Sequence, residues 1–62
     1  MFTVRDIDSG KDVEFEYLGD VVLDASKDYV SGEITRYVLE INGIRHEVSK
    51  ETYNKIAEDK GL

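Results

Sequence analysis

The chain contains no cysteine, no proline and no tryptophan among its 62 residues. Without cysteine there is no disulfide framework, no thiol nucleophile and no thiolate zinc site. Long apolar runs are also missing. The longest, Val21 to Leu23 among them, span three residues, against the roughly 20 residues a membrane-spanning helix needs. No basic, then apolar, then small-residue leader opens the sequence. These absences lead to the expectation of a cytoplasmic protein with no membrane association. Histidine is present once, as His46. At this length a fold buries about 60% of the surface of its unfolded chain, enough for one small core and too little for a deep cleft. One domain over residues 1–62 is therefore expected.

Base is scarcer than acid: 8 Lys and Arg stand against 14 Asp and Glu, a net charge of -6. The deficit lies in the first half, where residues 1–33 hold nine acids and only Arg5, Lys11 and Lys27 as bases. No basic cluster exists to displace counterions from phosphates, so direct nucleic-acid binding is not expected.

The strongest local signal is Asn42-Gly43 between two apolar-rich runs, a type I′ hairpin turn. It predicts a hairpin over 33–48 with Tyr37 opposite Val48, Leu39 opposite His46, and Glu40 opposite Arg45 as a cross-strand charge pair. Ser49 follows as a helix cap, with Tyr53, Ile56 and Ala57 as the apolar stripe of a helix over 50–60 and Lys60-Gly61-Leu62 as its stop. In the first half, runs flanking Asp8-Ser9-Gly10-Lys11 predict a hairpin over 2–17, with Phe2 opposite Tyr17 and Val4 opposite Phe15. A strand over 21–23 and a loop over 24–32 complete the chain. The expected class is α+β: a four- to five-stranded antiparallel sheet, mostly meander, with one C-terminal helix packed on one face. An SH3-like small barrel with that helix is the alternative.

Catalytic and metal sites are not expected. His46 falls on the core side of its strand with no nucleophile near it in sequence, and reads as structural. Asp6, Asp8, Gly10, Asp12 and Glu14 alternate like the opening of a calcium loop. However, Lys11 stands where such a loop needs glycine, and Tyr17 where it needs a bidentate glutamate. No cofactor is implied.

Two surfaces remain as candidates. Asp12, Glu14 and Glu16 alternate with Val13, Phe15 and Tyr17, so their carboxylates share one outward face. Asp20, Asp24 and Asp28 continue the acidic character, giving a ridge suited to a basic protein partner and able to stand in for nucleic-acid phosphate. Leu18, Val21, Leu23 and Val38, with Ile7, are expected on the sheet face opposite the helix, either wrapped by the 24–32 loop, buried in a barrel, or exposed as a partner-binding or homodimer surface. In size and charge, though not in any motif, the chain looks like accessory and inhibitor proteins carried by bacteriophages and mobile elements. The function expected is a non-enzymatic interaction module that inhibits or modulates a larger basic or nucleic-acid-processing protein. A homodimeric scaffolding module is the alternative.

Overall fold

Asn42 and Gly43 both adopt positive φ, 52° and 82°, so the turn closes as the sequence predicts and fixes the hairpin on either side. In the computed structural model, which describes residues 1–61, that hairpin joins β4 (Ile34–Ile41) to β5 (Ile44–Val48). Ahead of it come β1 (Phe2–Asp6), β2 (Lys11–Phe15), a 3₁₀ turn over Leu18–Asp20 and β3 (Val21–Lys27). Helix α1 (Lys50–Asp59) ends the fold. Leu62, the last residue of the expected stop, lies outside the described residues.

The class is α+β, with five antiparallel strands and one C-terminal helix. The strands divide into two sheets, β1-β2 and β3-β4-β5. They meet where the Ile7 N–H, just past β1, donates to the Glu47 carbonyl on β5 at 2.8 Å. Val4 and Phe15 from the first sheet, Val21, Leu39, Ile41 and Val48 from the second, and Ile56 from α1 form one buried cluster. Phe2 stacks on Phe15 across the first hairpin, with ring centroids 5.2 Å apart, and Tyr37 meets Tyr53 of the helix at 5.0 Å.

Helix α1 starts as its sequence dictates. The Ser49 hydroxyl accepts the Thr52 N–H, satisfying one of the free amides of the first turn. Its far end is tied down by Lys60, whose ammonium donates to the carbonyls of Leu18 at 2.8 Å and Val21 at 2.9 Å. The C-terminus of the helix is thereby fastened to the junction between the two sheets.

Two expectations are corrected. The first hairpin pairs Phe2 with Phe15, Val4 with Val13 and Arg5 with Asp12, a slip of two residues from the predicted register. A shift of two keeps every side chain on its face, so alternation cannot distinguish the registers. The turn chemistry decides: the Asp6 carboxylate accepts the N–H groups of Asp8 and Ser9, and its carbonyl accepts that of Gly10 at positive φ. Segment 24–27 is strand rather than loop. Asp24, Ala25 and Ser26 pair with Val38, Tyr37 and Arg36, and tertiary pairing there overrides low strand propensity. The true turn begins at Asp28.

Candidate functional site

Among the described residues Asp6 is the one buried charged residue, 9% exposed, and its carboxylate is held by three hydrogen bonds. Alternation in β1 puts its side chain on the same face as Phe2 and Val4, toward the second sheet. One carboxylate oxygen takes the Asp8 and Ser9 amides, and the other lies 2.9 Å from His46 Nδ1. The hydrogen bond to His46, aided by the Ser9 and Asp8 amides and His46's charge, holds the Asp6 carboxyl below its usual value, against the upward push of burial. His46 thus has an orienting carboxylate, from a residue 40 positions away. The pair fastens the first hairpin to β5.

Beside it, the outer face of the second sheet carries a charged lattice. Register places Asp24, Val38 and Glu47 in one row, with Val22, Glu40 and Arg45 in the next. Arg45 reaches diagonally across β4 to Asp24 at 2.8 Å and stands 4.0 Å from Glu40, while Arg36 lies 3.5 Å from Glu47. With Asp6, Asp8 and Ser26 at its margin and Val38 as its floor, this lattice borders a groove of about 320 Å³. Each guanidinium there faces a carboxylate. The arrangement suits charge recognition, and among the described residues no serine hydroxyl hydrogen-bonds to the Asp6–His46 pair.

The six acids of the predicted ridge are all exposed, but they do not form one line. Asp12 and Glu14 lie on the outer face of the first sheet, whereas Asp24 lies on the outer face of the second, because the 3₁₀ turn begins a new sheet between them. Asp12 is paired with Arg5 at 2.8 Å and Asp24 with Arg45. Asp28 spends one oxygen on the Val30 amide. Glu14, Glu16 and Asp20 have no ion-pair partner among the described residues.

The predicted apolar surface is largely overturned. Val21 opposes Ile41 and Leu23 opposes Leu39, which turns both toward the core and the helix. Val21 is fully buried, and Leu18 and Leu23 pack against the core cluster. Only Val38 points to the opposite face, and at 7% exposure it is covered by the lattice. The apolar side chains that do meet water are others, among them Val22, Tyr29, Val30 and Ile44.

Among the described residues no helix is long and apolar enough to cross a membrane. Comparison with protein-family models, with curated proteins and with solved structures returns no match.

Proposed function

We propose that this chain is a cytoplasmic, non-enzymatic interaction module that docks on a basic surface of a larger protein and modulates it, its carboxylates taking the place of nucleic-acid phosphate. The observation that carries the reading is how the arginine charge is spent. Arg5, Arg36 and Arg45 all face carboxylates of the same chain, and Lys60 is held by two carbonyls. Glu14, Glu16 and Asp20 are left outward and unpaired among the described residues. A net charge of -6 presented this way steers a basic partner over distances of about a Debye length, roughly 8 Å at physiological salt. Val21, Leu18 and Leu23 are spent on the core and Val38 lies beneath the charged lattice, so the carboxylates rather than an apolar sheet face carry recognition.

The test is affinity capture with the tagged full chain against its Glu14→Gln/Glu16→Gln/Asp20→Asn variant, washed at low and high salt. A stoichiometric basic protein retained at low salt by the wild type, and lost by the triple variant, supports the proposal. Equal retention by both would refute it.

A further inference from the structure

Beyond Tyr37 the β3–β4 hairpin has no third strand, because β5 pairs with β4 only from Tyr37 to Ile41. Its end, from Ser26 to Arg36, therefore stands as a two-stranded arm. The turn at its tip is held by its own hydrogen bonds: Asp28 N–H to Glu33 O at 2.9 Å, Gly32 N–H to Asp28 O at 2.7 Å, and Val30 N–H to the Asp28 carboxylate at 2.8 Å. A turn capped in this way needs no apolar residue, since Asp, Asn, Ser and Gly satisfy its geometry. Yet Tyr29 and Val30 occupy the tip, 102% and 97% exposed. A neighbouring aromatic and aliphatic pair, fully in water on a preorganised turn, has the form of an interface anchor.

The same chain carries a matching recess. Between β1 and α1 lies a groove of about 280 Å³ whose lining includes Phe2, Val4, Ile56, Lys55 and Asp59. That is slightly below the range of about 300–1,000 Å³ typical of drug-sized ligands, and it suits a single side chain with an apolar floor. Lys55 and Asp59 on its rim have no ion-pair partner among the described residues, and neither has Lys27 or Asp28 beside the tip. Asp28 is opposite in charge to Lys55, and Lys27 to Asp59. The tip cannot fill its own groove, as its full exposure shows. An anionic membrane would repel a chain of charge -6.

We propose that a second copy of this chain seats its Tyr29–Val30 tip in the groove between β1 and α1, with Asp28 against Lys55. Anchor and recess on one chain make the association self-complementary, whether it closes as a reciprocal pair or continues from copy to copy. Sedimentation velocity of the full chain across a dilution series tests it, with circular dichroism confirming the fold of each variant. Wild type is expected to exceed the monomer mass as concentration rises. Tyr29→Ser/Val30→Ser and, separately, Lys55→Glu are expected to remain monomeric at the same loading. A wild type that is monomeric throughout overturns the proposal, as does association that survives in the tip variant. Loss in the tip variant with none in Lys55→Glu overturns it too, since the tip would then engage another surface. Glu14, Glu16 and Asp20 take no part in this contact, so their triple variant associates as wild type does and the capture experiment remains a separate question.

Discussion

Removing the Lys60 ammonium while keeping its apolar stem, as in Lys60→Met, tests how the helix is fastened to the sheets. The ammonium donates to two carbonyls, at 2.8 and 2.9 Å. Neither is left entirely bare by the change. Leu18 O still accepts the Val21 N–H. The Asn42 N–H bonds to Asp20 O, so in β3 the residues at even positions direct their bonds to β4, and the Val21 carbonyl looks out from the open edge of β3, where water can reach it. The loss is therefore set near the lower end of the range for hydrogen bonds to a charged group, about 1.5 kcal/mol. At roughly 0.05–0.15 kcal/mol per residue, a chain of 62 residues holds about 3–9 kcal/mol in all, so this contact is a sizeable share. The corresponding fall in Tm is about 6–12 °C for a domain of this size. Urea titration followed by far-ultraviolet circular dichroism reads it directly: the midpoint falls while the slope m stays fixed, since no surface changes hands in the native state. Lys50→Met, an exposed lysine on the first turn, serves as control. A Lys60→Met midpoint equal to that of the control would refute the reasoning.

Two further predictions concern the core and the buried carboxylate. Leu39 is 0% exposed, and Leu39→Ala at such a site costs about 2–5 kcal/mol; much of the population should unfold at 25 °C, and a sigmoidal melt near the wild-type Tm would contradict this. Asp6 titrates below its usual 3.8 in the folded chain, so its contribution is complete above that value and is lost as pH falls through the lower folded one. The difference in urea midpoint between wild type and Asp6→Asn should accordingly be present just above the usual Asp value and close as pH falls below it; a difference that does not change with pH below about 4 would count against the hydrogen-bonded, lowered carboxyl.

What was legible in the sequence was local. Asn42-Gly43 carried the β4–β5 register residue by residue, and Ser49 carried the start of the helix, because each states its geometry within a few positions. The first hairpin shows where alternation runs out: a slip of two preserves Phe2, Val4, Val13 and Phe15 on the same face, and only the Asp6 carboxylate, by capturing the Asp8 and Ser9 amides, selects the true turn. Asp24 to Ser26 read as loop because their strand character is conferred from outside, by pairing with β4 and by Arg45. The face of Val21 and Leu23 followed from that same pairing and was misplaced with it. The Asp6–His46 contact had one faint signal, an acid at a core-facing position of β1 with a single histidine at a core-facing position of β5. No spacing rule joins residues so far apart.

The links across the molecule also set the order in which it comes together. All three ladders, β1-β2, β3-β4 and β4-β5, join strands that follow one another in the chain. Such short-range pairing closes small loops and favours rapid folding. The fastenings between distant parts, Asp6 to His46, Ile7 to Glu47 and Lys60 to Leu18 and Val21, are expected to form after the hairpins and helix they join. Interactions absent from the transition state govern the rate of escape from the native basin rather than the rate of entry. The polar clasps of this fold are therefore expected to act as a latch, prolonging the lifetime of an assembled chain whose arrival they do not hasten.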